Sequence, residues 1–267
     1  MMSKFRMLPL MLLGLSVIAI GAVPEAMAAG IVGSKHDLST GGTAPSWTTT
    51  KLGLPPANEE VCIFCHTPHA AADPSVAEPL WNRDMTTQTT TYTLYNSSTF
   101  DSNFAAGFQK QPFGVSKACL SCHDGTVGFN ALLNNRGPLN PAPTGTDTTM
   151  PDGITRIAEG GTNLTNDHPI SMRYSQANSP SGTDGTDNHA TGFYAEFTSG
   201  TREYVNKGAT TVDVSALPLY SDGASTDFVQ CGTCHDPHRE AIGTQVNFLR
   251  KSNDMSALCL TCHKKDG

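Results

Sequence analysis

All eight cysteines of the chain lie in copies of the motif Cys-x-x-Cys-His, and none lies outside them. The four copies, in chain order, are Cys62/Cys65/His66, Cys119/Cys122/His123, Cys231/Cys234/His235 and Cys259/Cys262/His263. Two intervening residues on a short helical turn separate two thiols by the distance between the vinyl groups of one porphyrin. The histidine that follows reaches the iron as its proximal ligand. The pattern predicts four covalently attached haems c.

Two other uses of paired cysteines compete with haem attachment. Paired Cys-x-x-Cys units also form zinc sites, and an even cysteine count in an exported chain often indicates disulfides. Neither use requires a histidine directly after every pair, whereas haem attachment does. Haem attachment therefore explains the pattern better than either alternative.

The first 28 residues have the pattern of a secretory signal peptide. Lys4 and Arg6 precede an apolar run over residues 7–23, and Ala26-Met27-Ala28 follows as a cleavage site. An uncleaved single span is the alternative, but the run is short for one, and no later stretch is long and apolar enough to cross a bilayer. We expect export to the periplasm, the outer surface or the extracellular medium, with no transmembrane segment after cleavage.

The composition indicates an acidic, loop-rich protein. Without the signal peptide, 15 Lys and Arg stand against 23 Asp and Glu, a net charge of −8, and no basic stripe suggests nucleic acid as a partner. The chain has 25 glycines and 17 prolines, too many for an ordinary two-layer domain. We expect a mostly irregular, haem-cored multihaem fold with short α-helices at the motifs, long loops and few short β-strands, including a hairpin within residues 201–215.

Two of the motifs carry a second histidine three residues after the first, with a proline between. These second histidines are His69 and His238. Residues one helical turn apart lie ~5–6 Å from each other on one face, whereas two axial ligands approach an iron from opposite faces. Each is therefore expected to ligate a haem other than that of its own motif. The alternative is a solvent-exposed histidine beside a haem.

The motifs alternate in type along the chain, which indicates a duplication. The motifs with a trailing histidine, at 62–66 and 231–235, are called A motifs; the motifs at 119–123 and 259–263, in the similar contexts SKACLSCHDG and SALCLTCHKKDG, are called B motifs. An arginine follows each A motif, in PLWNR and NFLR. We predict a signal peptide at 1–28, a two-haem module 1 at 29–135 and a two-haem module 2 at 136–267.

The histidine count agrees with two axial ligands for each of four irons. His36 and His168 precede the A motifs in the related contexts HDLS and HPIS. The distal ligands predicted by this count are His36, His69, His168 and His238, and the proximal ligands are His66, His123, His235 and His263. His189 lies in a loop-like stretch and is left out of the count. The alternative sixth ligands, Met150, Met172 and Met255, have no repeated context.

The segments SKHDLS, VCIFCHTPH, KACLSCHDGTVG, NDHPIS, QCGTCHDPH and LCLTCHKK together resemble exported bacterial multihaem c-type cytochromes with the doubled motif. Their order is similar to that of tetrahaem outer-surface cytochromes that polymerise into electron-conducting extracellular filaments. The resemblance covers about residues 36–130 and 163–265. It implies a continuous haem stack in which one haem of each subunit takes an axial histidine from its neighbour. His69 or His36 would be that donor here.

We therefore expect an electron-transfer protein and no enzyme, with no catalytic residues. Its partners would be redox proteins, extracellular acceptors or further copies of itself in a homopolymer. One alternative is a multihaem reductase, which needs an open iron and nearby acid-base groups. Another is a monomeric periplasmic redox subunit that docks an oxidoreductase.

Overall fold

The computed structural model describes residues 30–39, 61–71, 80–88, 91–96, 108–134, 149–150, 156–177, 194–209, 211–212, 216–239 and 248–264. The predicted signal peptide and His189 lie outside these ranges. All four motifs and the four predicted distal histidines lie within them. Among the described residues, no helix is long and apolar enough to span a membrane.

Helical structure in the described ranges is short and centred on the motifs. The α-helices are α1 (Gly114–His123), α2 (Tyr174–Ala177), α3 (Cys231–Cys234) and α4 (Cys259–Cys262), with 3-10 helices at Cys62–Phe64 and Asp254–Ser256. At the last motif the segment SNDMSALCLTCHKK, residues 252–265, predicts a longer helix, but the structure has only the 3-10 helix Asp254–Ser256 and the α-helix Cys259–Cys262 there. Met255 and Ser256 have φ of 52° and 63°, left-handed values that interrupt a helix.

The strands form two small antiparallel sheets. In one, β1 (Met172–Arg173) pairs with β5 (Phe228–Val229). In the other, β3 (Arg202–Val205) lies between β2 (Glu196–Ser199) and β4 (Leu217–Pro218).

The hairpin predicted over residues 201–215 is found in part. β3 lies in its first half and pairs antiparallel with β4, which begins at Leu217, beyond the predicted range. β3 also pairs with the preceding strand β2 through the two-residue turn Gly200-Thr201. Gly200 has a φ of 64°, and glycine adopts this left-handed conformation at little cost.

Buried apolar side chains form three separate clusters. One contains Phe64, Phe129, Leu132 and Met150 and packs against Cys65 and Cys122; another contains Phe108, Met172, Tyr174, Val205, Leu219 and Val229 and packs against Cys262; the third contains Tyr92, Leu120, Ala158 and Leu164. Each cluster is small for a chain of 267 residues. Two of them border motif cysteines. That haem forms most of the core stays a prediction.

Candidate haem centres

The segment that follows each A motif folds back on it in the same way. The Thr67 N–H donates to the Leu80 carbonyl at 2.8 Å, and the Asp236 N–H donates to the Phe248 carbonyl at 2.8 Å. Leu80 and Phe248 both adopt left-handed backbone, with φ of 65° and 58°. Such values are rare for these residue types. The shared conformation makes Leu80 and Phe248 equivalent positions.

Two residues after Leu80 and Phe248, the returning segments share a second pair of equivalent contacts, made by Asn82 and Arg250. The main-chain N–H groups of Asn82 and Arg250 both donate to the carbonyl of the second motif cysteine at 2.8 Å. Their side chains donate to equivalent carbonyls, Asn82 to Ile63 at 2.7 Å and Arg250 to Gly232 at 2.7 Å. The sequence comparison paired Arg83 with Arg250, and the backbone register corrects this by one residue.

Three motif histidines each face a second imidazole. The pairs are His36 with His123 at a ring-centre distance of 6.1 Å, His66 with His238 at 6.1 Å, and His168 with His263 at 6.4 Å. Two imidazole nitrogens that bind one metal ion from opposite sides at ~2 Å put the ring centres roughly 6 Å apart. The three pairs therefore fit axial ligation of one iron each. Every pair joins a motif histidine to a predicted distal histidine.

The relative orientation of the rings separates A from B motifs. At the B motifs the planes are nearly perpendicular, at 76° for His36 with His123 and 77° for His168 with His263. At the first A motif, His66 and His238 are nearly parallel, at 16°. The two upstream histidines thus occupy matching positions in the two halves of the chain.

His69 lies elsewhere. Its side chain is exposed, and no imidazole faces it in the described part of the chain. Its carbonyl accepts hydrogen bonds from Thr67 Oγ1 at 2.9 Å and from Asn134 Nδ2 at 2.8 Å, which hold its backbone. Within this chain the structure therefore does not bring His69 to a motif histidine.

The methionines considered as alternative sixth ligands also lie outside the imidazole pairs. Met150 and Met172 belong to apolar clusters, and Met255 is 95% exposed. Methionine ligation therefore receives no support from the described geometry.

Buried donors beside the first A motif lack acceptors. The Trp81 ring meets the edge of His66 at 5.8 Å, and both Trp81 Nε1 and Arg83 Nε are buried without a hydrogen-bond partner. Arg83 is only 1% exposed and donates its other N–H groups to the carbonyls of Gly128 and Phe129. An unpaired buried donor costs free energy unless a ligand accepts from it. The two donors fit an anionic group such as a haem carboxylate.

His36 is half-buried at the contact between the two halves of the chain. Its ring stacks on Phe248, with ring centres 4.3 Å apart and an interplanar angle of 14°. Burial, together with the nearby His123, His238 and His235, lowers the pKa of His36 to about 4. The neutral imidazole is the form that binds a metal. Sequence reasoning missed Phe248, since its contact is made only by the tertiary fold.

His238 has a carboxylate partner. Its main-chain N–H donates to Asp236 Oδ1 at 3.1 Å, and its Nδ1 lies 3.5 Å from the same oxygen. Arg250 Nη1 donates to the other oxygen at 3.0 Å. The hydrogen bond with His238 and the charge of Arg250 hold the pKa of Asp236 at about 2. A carboxylate in this position orients a metal-binding imidazole. Asp236 was also missed, although it directly follows a motif histidine.

Cysteines of successive motifs are neighbours within module 1 and between the modules. Burial, together with the nearby Cys122, raises the pKa of the Cys65 thiol to about 12. A hydrogen bond with the Cys119 side chain lowers the pKa of Cys231. The first motif therefore adjoins the second, and the second adjoins the third.

The third motif adjoins the fourth in the same way. Burial raises the pKa of Cys234 to about 11, and Cys231 and Cys259 add to the shift. Burial raises the pKa of Cys262 to about 12, and Cys234 adds to it. All eight cysteines lie within the described residues, and none forms a disulfide. The four motifs thus follow one another in space in their order along the chain.

Comparison with known proteins supports the reading of the motifs. A family model for the doubled CXXCH motif matches residues 225–267, which include the A and B motifs of the second half. The search of curated proteins finds no match. The C-x-x-C-H motifs indicate covalent haem c binding, and the doubled motif indicates a multihaem c-type cytochrome.

Proposed function

We propose that this protein is an exported electron-transfer cytochrome that carries four covalently bound haems c with two histidine ligands each. The observation that supports it most is the set of three imidazole pairs with ring centres 6.1–6.4 Å apart, each built on a motif histidine. Haem iron changes reversibly between two oxidation states, and histidine ligation on both sides leaves no position for a substrate.

The residues of the chain attach the haems, ligate the irons and set the order of the haems in space. The cysteine pairs hold the haems, and His36, His168 and His238 close three irons from the distal side. Because successive motifs adjoin one another, the attached groups form one series along which electrons pass. Burial of the haems beside the apolar clusters and the net negative charge of the chain set the reduction potentials of the series.

His69 is proposed to serve another copy of the chain. The resemblance left His69 or His36 as the inter-subunit donor, and His36 faces His123 within this chain while His69 is exposed. By analogy with His238, which faces His66 of the other half, His69 would ligate a haem of a neighbouring copy. The product would be an extracellular filament of this cytochrome, and its terminal acceptor would lie outside the cell.

The experiment separates the exported holoprotein by size and compares dithionite-reduced spectra with and without carbon monoxide. The haem content of each fraction is measured beside them, with four per chain expected. Carbon monoxide binds only where the sixth position is open or weakly held. We expect a spectral change in the monomer and none in the large assembly.

The other outcomes overturn parts of the proposal. No change in any fraction would mean that every iron is closed within one chain, and that His69 is not an inter-subunit ligand. A change in every fraction would overturn the closed ligand set and favour a reductase with an open haem. Fewer than four haems would overturn the count.

A further inference from the structure

The segment that returns to the first A motif carries a buried arginine without a counter-charge. Arg83 is 1% exposed, and its Nη1 donates to the Phe129 carbonyl at 2.7 Å while its Nη2 donates to the Gly128 carbonyl. In the part of the chain that the structure describes, no carboxylate forms an ion pair with it. Carbonyl groups accept the hydrogen bonds but leave the positive charge uncompensated. A buried charge is costly unless an opposite charge accompanies it.

Two N–H groups at this place have no acceptor. Arg83 Nε and Trp81 Nε1 are both buried without a hydrogen-bond partner. Each group therefore carries a desolvation cost that no protein atom repays. A carboxylate would accept from both kinds of donor and would also neutralise the guanidinium.

Both donors border the first attachment motif. The Trp81 ring lies against the edge of the His66 ring, with ring centres 5.8 Å apart. Phe129, which accepts from Arg83, belongs to the apolar cluster that packs against Cys65 and Cys122. The unpaired donors therefore lie beside the haem that the first motif is proposed to hold.

The equivalent segment of module 2 is built differently. The backbone register that pairs Asn82 with Arg250 places Leu249 at the position of Trp81 and Lys251 at the position of Arg83. Leu249 has no side-chain donor. Lys251 is half-buried, and its Nζ donates to Thr261 Oγ1 at 2.9 Å. The repeat therefore folds without a sealed charge at this position, and the unpaired donors belong to the first site alone of the two.

We propose that Arg83 and Trp81 bind the carboxylate groups of the haem attached to Cys62 and Cys65, and that the charge of Arg83 raises the reduction potential of this haem. The inference rests on the proposed function and adds to it a residue that tunes one member of the series. A raised potential at the first motif favours electron transfer toward that end of the molecule.

Electrostatics gives the direction and size of the effect. The oxidised haem carries one positive charge more than the reduced haem, so a nearby guanidinium favours reduction. At an effective dielectric constant of about 20, a unit charge ~10 Å from the iron changes the equilibrium constant roughly tenfold. For a one-electron couple that factor is about 59 mV. Burial keeps solvent from screening the charge.

The test measures the midpoint potential of the first haem in the full-length exported holoprotein, as monomer, with and without Arg83→Gln. The ligand planes of His66 and His238 lie 16° apart, whereas both B-motif pairs are nearly perpendicular, so electron paramagnetic resonance follows this haem separately. The variant is expected to bind an electron at least about tenfold more weakly, a fall of about 59 mV.

Two further variants separate charge from packing. Arg202→Gln removes the same charge from an exposed position in β3, where solvent screens it, and is expected to leave the midpoint unchanged. Arg83→Lys keeps the charge but cannot donate to both loop carbonyls as the guanidinium does. It is expected to recover most of the lost potential.

Trp81→Phe tests the carboxylate contact itself. The substitution keeps an aromatic ring beside His66 and removes only the N–H donor. The carboxylate bending band of the haem in the resonance Raman spectrum is expected to shift in this variant and in Arg83→Gln. An unchanged band in Trp81→Phe would overturn the proposed contact, even where Arg83→Gln loses haem.

The potentials give the remaining outcomes. An unchanged midpoint in Arg83→Gln at four haems per chain would overturn the inference and leave electron transfer standing. A midpoint as low in Arg83→Lys as in Arg83→Gln would overturn it as well, because the loss would then come from loop packing. An equal fall in Arg202→Gln would assign the effect to net charge instead of to the buried site. Fewer than four haems in the wild type would instead contradict the proposed function.

Discussion

The two A motifs share a backbone but hold their trailing histidines differently. His238 is hydrogen-bonded to Asp236, which Arg250 also contacts, and its ring faces His66. His69 has Thr67 in place of that aspartate, and Thr67 contacts only the main chain of His69, at its carbonyl and its N–H. The module 2 histidine is therefore positioned within the molecule, and its module 1 equivalent is presented at the surface. A duplicated unit can thus supply both an internal contact and an external one, because only one of its copies has a neighbour within the chain.

The two B motifs differ in backbone structure but have matching histidine pairs. Their helices differ in length, with ten residues in α1 and four in α4, yet their histidine pairs match in distance and angle. Five residues of α1 are buried, whereas only Thr261 is buried in α4. The histidine pairs therefore have the same geometry at a more buried and at a more exposed helix.

Removal of the cysteines of a B motif is expected to have the largest effect. Cys119→Ala with Cys122→Ala and Cys259→Ala with Cys262→Ala should each cost one haem per chain. The first pair should also lower the stability of the protein far more, because its site adjoins sites on both sides and holds them together. Mass spectrometry and urea unfolding of the holoproteins measure the two effects. Equal loss of stability would show that the central position has no structural importance.

Substitution of the two trailing histidines is expected to affect carbon monoxide binding to the monomer differently: the His238 variant gains a binding site and the His69 variant does not. His238→Ala should open the haem of His66, so that the monomer binds one more equivalent of carbon monoxide than the wild type does. His69→Ala should leave the monomer spectrum unchanged and open a site only in the assembly. Carbon monoxide titration of both variants, as monomer and as assembly, measures this. Identical titrations would remove the distinction between the two A motifs.

The leucine that follows the first cysteine of each B motif allows a matched stability test. Leu120 is fully buried, and its equivalent Leu260 is partly exposed. Leu120→Ala should lower the free energy of unfolding by about 2–5 kcal/mol, and Leu260→Ala by about 1 kcal/mol. The shift in urea midpoint, at constant haem content, is the measurement. A larger effect at Leu260 would mean that module 2 has the tighter core.

The ring orientations predict a spectroscopic difference without any substitution. When the two imidazole planes are parallel, both ligands interact with the same iron d orbital, and its energy moves away from that of the second d orbital of the pair. When the planes are perpendicular, the two d orbitals stay nearly equal in energy. The B-motif haems, at 76° and 77°, should give the highly anisotropic low-spin signal in electron paramagnetic resonance. The haem of His66, at 16°, should give the ordinary rhombic signal. A spectrum with only rhombic signals would contradict the B-motif geometry.

Spacing predicts the attachment residues, and a count of histidines in repeated contexts predicts the distal set. In the described part of the chain, His36, His168 and His238 face motif histidines as predicted, whereas His69 does not. The local elements were harder to predict. The helix expected at the last motif is interrupted at Met255, whose left-handed φ no periodicity reveals. The hairpin expected over residues 201–215 has its first strand, β3, in that range, but its second strand, β4, begins only at Leu217.

The sequence by itself determined the covalent chemistry, because haem attachment needs only residues that are neighbours along the chain. Tertiary structure decided which histidine faces which motif, since every pair joins residues far apart in the sequence. It also decided that His36 is internal and His69 external, and that Leu80 is exposed where its equivalent Phe248 is buried. Those differences arise from the position of each copy of the repeat within the chain, and position relative to a neighbour exists only in the folded molecule.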